Sequence, residues 1–328
     1  MINEILTNST WLEPQIDFLL MLQNFRELTG GVLDNFFFSL TVLGQFLIPT
    51  LIMCLIYWCI DTTAGLYLFL VNSFSLLAVQ IMKNAACVYR PWILTDRLSP
   101  SEAAIKTAGG YSFPSGHSIM ASSMWGGLAY LTRKKKFVCS FFIFLILLIG
   151  FSRCYLSVHT PQDVVIGILA GVLFVFLTNK FIKFCEKDKN RYLYSLGIIN
   201  IIAIAVLYWT VTKDYPLDYV NGKLLVDPQK AIYVSVVYIA WVSGLINGVL
   251  LCKRFVNFDA KKGSTKAKVV RGIVGALTFC GLFYVIENYF LHNIQPYKTT
   301  CHFMFFTGIY ITLIYPLIVS KLQKYFDI

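Results

Sequence analysis

The sequence predicts an all-α fold: a polytopic membrane helical bundle of about nine transmembrane helices, with an N-terminal helix lying in the interface. Composition and patterning predict it together. Of the 328 residues, 57% are hydrophobic and only 14% are charged, whereas a soluble domain carries about a quarter charged residues. The mean hydropathy is +0.66. A chain this poor in charge cannot cover its surface with polar groups, so lipid is the expected solvent for most of it. Apolar runs recur at 37–60, 64–83, 115–132, 137–153, 162–183, 193–212, 231–252, 270–290 and 300–320, each near the roughly 17–25 residues that span a bilayer as a helix.

Taken in order, residues 1–36 form an interfacial N-terminal segment. Within it, "WLEPQIDFLLMLQNFREL" (11–28) mixes Trp11, Ile16, Leu19, Leu20 and Leu22 with Glu13, Asp17, Asn24, Arg26 and Glu27. It is too polar to span, and suits a helix in the headgroup region or packed on the bundle. No basic segment, short apolar run and small-residue cleavage site precede it, so no removable signal peptide is expected. Residues 37–191 form a core of five spans, and 192–328 a four-span extension. Nine cysteines are scattered singly, mostly inside spans; they read as small apolar fillers, with no disulfide framework, metal site or cofactor expected.

Charge sets the orientation. Of the 28 Lys and Arg residues, eighteen fall in four places: Arg133–Lys136, Lys180–Arg191, Lys253–Arg271 and Lys321–Lys324. With nine spans all four lie on one face, which the positive-inside rule makes cytoplasmic. Attraction to anionic headgroups accounts for the net charge of +11 without nucleic acid. The N-terminus is then external, as in a multi-pass protein of the plasma (cytoplasmic) membrane. From His117 to Arg133 is 16 residues, and from Lys136 to Arg153 is 17, about 24 and 26 Å of helix. The chain therefore crosses and returns, bringing Arg153 to the depth of His117, where Lys83 also ends its span.

Three polar clusters thus converge at the external boundary. In "KNAACVYRP" (83–91), Lys83 offers a point charge and Arg90 a bidentate fork, a pair suited to phosphate, although such a pair taken alone usually snorkels to headgroups. In "PSGH" (114–117), Pro114 presets a helix entry, Ser115 is a favoured N-cap and Gly116 admits close approach. The free N–H groups and positive dipole end of that first turn form an anion seat, with His117 placed to move a proton. In "SRCYLSVHTPQD" (152–163), Thr160, Pro161 and Asp163 read as a helix start. That start leaves Arg153 and His159 unexplained. Asp163 can hold the His159 imidazole in one tautomer and raise its nucleophilicity.

Lys83, Arg90-Pro91, Pro114-Ser115-Gly116-His117, Ser152-Arg153, His159 and Asp163, in this order and spacing, resemble the three-part signature of the type-2 phosphatidate phosphatase superfamily. That superfamily includes membrane lipid-phosphate phosphatases, glucose-6-phosphatase, bacterial acid phosphatases and vanadium haloperoxidases. The nine-span layout resembles that of glucose-6-phosphatase. The resemblance implies that His159 attacks phosphorus to form a phosphohistidine and that Asp163 orients it. It implies that His117 protonates the leaving oxygen and then activates water. Lys83, Arg90, Arg153, Ser115 and Gly116 would surround the phosphoryl oxygens. The implied activity is metal-independent hydrolysis of a lipid phosphate or diphosphate at the extracytoplasmic face. Transfer to a lipid or sugar acceptor, a soluble sugar phosphate substrate, and a non-catalytic membrane protein with a relic site are the alternatives. The connection 92–113 is long enough for an entrance lid or an inert external loop. Glu287, His292 and His302 are expected near the external end of the last two spans, as a supporting wall or headgroup contact.

Overall fold

The computed structural model describes residues 11–188, 190–220, 222–256, 258–286, 288 and 297–326. It is 79% helical. The helices are α1 (Leu12–Leu28), α2 (Asp34–Val42), α3 (Leu47–Leu55, continued by a π turn Ile56–Ile60), α4 (Thr62–Ala86), the short α5 (Pro91–Leu94) and α6 (Glu102–Lys106), α7 (Gly116–Leu131), α8 (Lys136–Tyr155) and α9 (Pro161–Glu186). Then come α10 (Asn190–Thr212), α11 (Pro228–Phe255), α12 (Thr265–Val285), α13 (Tyr297–Ile309, continued by a π turn Tyr310–Ile314) and α14 (Tyr315–Phe326). Among the described residues, β1 (Tyr219–Val220) pairs antiparallel with β2 (Lys223–Leu224), setting Tyr219 opposite Leu224.

Among the described residues, seven helical stretches are long and apolar enough to cross a membrane, and eight if α2 and α3, bent by 45°, make one span. This places the chain among multi-pass membrane proteins. The nine spans expected are not reached by that measure, because α7 has only 16 residues. At 1.5 Å per residue it is about 24 Å long, short of the roughly 30 Å hydrocarbon core. Its start is fixed by the Ser115 cap and its end by Thr132, just before the basic run.

The helices are inside out relative to a soluble protein. Along α8, Phe137, Phe141, Phe144, Leu147 and Phe151 recur three or four residues apart and are exposed, the spacing of one helical stripe. The opposite stripe buries Leu145, Ile149, Ser152 and Arg153. A helix that exposes phenylalanine and buries arginine is solvated by hydrocarbon and turns its polar residues to the protein interior.

The chain forms two compact units. The first comprises residues up to Gln45, Ala78–Leu173 and Thr212–Val234. Within it α7 and α9 pack closely because α9 offers glycine at contact points. A Cβ on Gly167 would lie 2.9 Å from the Ser115 carbonyl oxygen, and one on Gly171 would meet Ser122 Oγ and the Ile119 carbonyl. Small residues four apart let two membrane helices approach backbone to backbone. Helix α1 buries Ile16, Leu19 and Leu22 against Leu98, Cys154 and Val164, and leaves Trp11, Met21, Phe25 and Leu28 exposed.

The second unit comprises Phe46–Leu77, Phe174–Val211 and Ser235–Ile328. Its two π turns meet: Trp58 Nε1 donates to the Ile311 carbonyl at 2.8 Å and Tyr57 Oη to that of Thr312 at 3.1 Å. A π turn interrupts the regular i to i−4 ladder, and these carbonyls find side-chain donors. Asn200 and Asn247 exchange amide hydrogen bonds of 3.1 and 2.9 Å between α10 and α11. A cavity of about 370 Å³ in this unit is lined by Asp61, Lys253, Phe258 and Lys261 among others, and by none of the sequence-predicted site residues. Glu287 and His292 lie outside the described residues. His302 is exposed on α13, its Nδ1 2.6 Å from the Lys298 carbonyl one turn earlier.

Candidate active site

The site is built where α4 ends and α7 and α9 begin, all within the first unit. Helix α7 starts at Ser115, whose side chain accepts from the Ser118 N–H at 3.3 Å and from the Ser118 hydroxyl at 2.9 Å. Ser115 is fully buried, and the structure places it as the cap. Its own N–H donates to the Asp163 carbonyl at 2.9 Å, tying the start of α7 to the first turn of α9. Gly116 follows with its bare face toward Lys83, whose Cε a Cβ would approach to 3.9 Å.

Helix α9 begins with a reciprocal cap. Thr160 Oγ1 accepts from the Asp163 N–H at 3.3 Å, while Asp163 Oδ2 accepts from the Thr160 N–H at 3.1 Å, an arrangement that satisfies two otherwise unbonded helix-end donors. The same Oδ2 lies 3.2 Å from His159 Nδ1. On the other side of the ring, Nε2 lies 2.8 Å from Arg90 Nη1. A guanidinium has donors only, so Nε2 must be the acceptor and Nδ1 must carry the proton toward Asp163. The tautomer follows from the partners: the lone pair sits on Nε2, facing a cation. Burial pushes the His159 pKa well below the ordinary histidine value, and the charges of Arg90, Lys83 and Arg153 push the same way. A neutral ring is what a nucleophile requires.

The cations are held by carbonyls. Arg90 donates to Gly110 at 3.2 Å through Nε, to Gly109 at 3.0 Å through Nη2 and to Val158 at 3.0 Å through Nη1. Lys83 Nζ donates to the carbonyls of Tyr111 at 2.6 Å and Ser112 at 3.1 Å. Arg153 differs. It is 0% exposed, and among the described residues none of its three guanidinium nitrogens has a hydrogen-bond partner. Burying a charge without a partner is costly, so these donors stand ready for a ligand. His117 Nε2 is likewise buried without a partner among the described residues. Arg153, His159, Arg90 and Lys83 all lie within electrostatic reach of the His117 ring.

Two backbone outliers flank these groups. Cys87, between Lys83 and Arg90, has φ of 49°, and Ser157, two residues before His159, has φ of 57°. Non-glycine residues in this region store roughly 1–3 kcal/mol each. Both precede site residues closely, Cys87 by three residues before Arg90 and Ser157 by two before His159.

The residues expected from the sequence therefore gather in one place, and the fold adds others. Ser112 is 1% exposed; its hydroxyl donates to Asp163 Oδ2 at 2.5 Å and lies 3.3 Å from His159 Nδ1. Its only sequence signal is its position two residues before Pro114. The carbonyls of Gly109, Gly110 and Val158 carry no side-chain signal at all.

Residues 64–187, which contain every one of these side chains, match the PAP2 superfamily, and residues 236–325 match the PAP2 superfamily phosphatase transmembrane extension. The chain belongs to the PAP2 superfamily. It is 35% identical over 102 residues to phosphatidylglycerophosphatase B of Bacillus subtilis (strain 168), covering 29% of this chain and 49% of that protein. It is 37% identical over 68 residues to undecaprenyl-diphosphatase of Sulfolobus acidocaldarius, covering 21% and 32%. With lipid A 1-phosphatase of Rhizobium johnstonii it shares 31% over 115 residues, covering 35% and 46%. The chain thus spans about half or less of the length of the curated relatives it matches. No solved structure matches it.

In this PAP2 member a segment between the two matched stretches joins the site-bearing unit. Asp218 accepts from Tyr89 Oη at 2.6 Å, Tyr215 stacks on Tyr111 with centroids 6.3 Å apart, and Lys213 Nζ lies 3.4 Å from Cys87 Sγ. The α10–α11 connection therefore packs directly behind the residues that frame Lys83 and Arg90.

Proposed function

We propose that the protein is an integral-membrane phosphatase that hydrolyses a lipid phosphate or lipid diphosphate at the extracytoplasmic face, through a phosphohistidine on His159. The observation that carries this reading is the two-sided hold on His159, with Nδ1 on Asp163 and the Nε2 lone pair facing Arg90. The names of the three relatives, all phosphatases of lipid phosphates or diphosphates, supply the substrate class.

The chemistry follows from the groups present. Phosphoryl transfer needs in-line positioning and stabilisation of charge spread over the phosphoryl oxygens. An entering phosphoryl group takes donors from Arg153, Lys83 and the start of α7, and draws the Arg90 N–H off Nε2. The freed lone pair attacks phosphorus; the P–O bond to the lipid breaks, and His117 gives a proton to the departing oxygen. His117 then removes a proton from water, whose oxygen attacks phosphorus as the P–Nε2 bond breaks, releasing phosphate. Asp163 holds the Nδ1 proton throughout and stabilises the positive ring. The fixed cations act in a buried site, where they count for more than in open water. The eighteen basic residues expected at the opposite helix ends support an external site under the positive-inside rule.

The test is the purified full chain in detergent, without divalent metal or added acceptor, assayed for phosphate release. The panel holds phosphatidate, phosphatidylglycerophosphate, polyprenyl diphosphate, sphingoid-base phosphate and glucose 6-phosphate. Release from at least one lipid substrate, with an acid-labile phosphoryl label on the protein that is lost in His159→Ala, is expected. Equal release by wild type and His159→Ala would overturn the mechanism, and release only when an acceptor is added would make the protein a transferase.

A further inference from the structure

We propose that Ser112 is a positioning residue for the reaction, a clamp that joins the phosphate-holding lysine to the nucleophile. The proposal rests on the phosphohistidine reading above. Four contacts made by one buried residue support it. Its hydroxyl donates to Asp163 Oδ2 at 2.5 Å and stands 3.3 Å from His159 Nδ1. Its carbonyl accepts from Lys83 Nζ at 3.1 Å, and its N–H donates to the Val88 carbonyl at 2.7 Å, between Lys83 and Arg90. Ser112 thus bonds to the end of α4 through its backbone and to the start of α9 through its side chain.

The geometry at Asp163 gives the clamp a specific task. Oδ2 has three partners: the Ser112 hydroxyl, the Thr160 N–H and His159 Nδ1. A hydroxyl has one proton to give, and the 2.5 Å bond commits it to Oδ2. The carboxylate is thereby held at a fixed angle with part of its charge answered. The groups facing His159 from the surrounding elements are Lys83 on α4, Arg90 before α5, Arg153 on α8, His117 on α7 and Asp163 on α9. Asp163 alone among them is negative. How far it raises the proton affinity of the ring therefore depends on how much of its charge Ser112 answers. Remove the hydroxyl, and Asp163 acts more strongly on the imidazolium while being free to turn.

The prediction has a kinetic signature that a merely structural role would not give. Ser112→Ala should lower kcat by about 10–100-fold, the loss typical of a charge-assisted hydrogen bond, with KM changed less than about twofold. The acid limb of its kcat/KM profile should move to higher pH, because His159 then protonates more readily. Ser112→Thr, which keeps a hydroxyl, should recover much of the loss, and Ser112→Cys, similar in size but a weak donor, should not. Melting temperature in detergent is read beside each, so that a variant that fails to fold is judged on the other two. A folded Ser112→Ala or Ser112→Cys with wild-type kcat and an unmoved acid limb overturns the proposal. So does a rise in KM at unchanged kcat, which would make Ser112 a substrate contact. His159→Ala in the same assay separates the two claims: if it stays active, the nucleophile assignment has failed; if it is dead while Ser112→Ala is normal, only the clamp has.

Discussion

The backbone N–H of Ser115 donates to the carbonyl of Asp163 at 2.9 Å. This bond joins the first turns of α7 and α9 through main-chain atoms, so side chains in either turn can be changed without cutting it. Asp163→Asn should therefore fold, with the Thr160 N–H still accepted by the amide oxygen. The amide would turn a donor or a weaker acceptor to His159 Nδ1, and the neutral ring would no longer be held with its lone pair on Nε2. A loss of about 10³-fold or more in kcat is expected by analogy with other histidine–aspartate pairs. An unchanged melting temperature with this loss is the outcome sought; activity within tenfold of wild type would refute the tautomer argument.

Arg153 yields a test that separates stability from function. Its guanidinium is buried without hydrogen-bond partners among the described residues, and removing an unpaired buried charge in favour of an apolar side chain of similar size often stabilises, by about 1–4 kcal/mol. Arg153→Met should melt higher than wild type in anion-free buffer and should hydrolyse nothing. Inorganic phosphate should raise the melting temperature of wild type and leave that of Arg153→Met where it is. Equal stabilisation of both by phosphate would remove Arg153 from the anion site.

The pH dependence follows from His159. Its folded pKa lies below the ordinary value because of burial first and neighbouring cations second. Between that lowered value and about 6.5 the unfolded chain binds a proton that the folded chain refuses. Stability should therefore fall as pH drops below about 6.5, with a slope of at most about 1.4 kcal/mol per pH unit from this one group. A neutral ring also predicts that kcat/KM holds below pH 6.5 on its acid side. Thermal melts of wild type and His159→Asn across this window check the sign: the slope should be smaller in the variant.

Packing of α7 on α9 depends on Gly171, where an added Cβ would run into Ser122 Oγ and the Ile119 carbonyl. Gly171→Val should cost about 1–3 kcal/mol through forced separation of the helices. Because the same contact carries Ser115 and Asp163, activity should fall with it. Gly197→Val, at a position where a Cβ meets nothing within 4 Å, serves as the control.

The Tyr89–Asp218 bond ties the α10–α11 connection to the site wall. Tyr89→Phe or Asp218→Asn should lower stability by about 0.5–1.5 kcal/mol. Either should raise KM for the lipid more than it lowers kcat. A matched fall in kcat would place Tyr89 in the chemistry itself.

Much of this protein is legible in one dimension. Apolar runs of bilayer length fix the helical class because a backbone in hydrocarbon must bond to itself within each segment. The spacing of Lys83, Arg90, Ser115, Gly116, His117, Arg153, His159 and Asp163 already groups them near one depth, since helix rise converts residue counts into distance along the helix. Depth is a single coordinate, however. Which groups meet laterally is set by contacts between helices: Gly171 against Ser122, Ser115 against Asp163, Gly109 and Gly110 under Arg90. Ser112 and the α10–α11 segment belong to the site only because close packing and main-chain hydrogen bonds bring distant stretches together. The span count also depends on more than hydropathy. Hydropathy sees 115–132 as one apolar run, but caps at Ser115 and Thr132 leave α7 with 16 residues. Sequence alone determined the helical class and the polar residues that converge at the candidate site; tertiary packing decided which lone pair faces which cation, because a hydrogen bond's direction depends on positions in three dimensions.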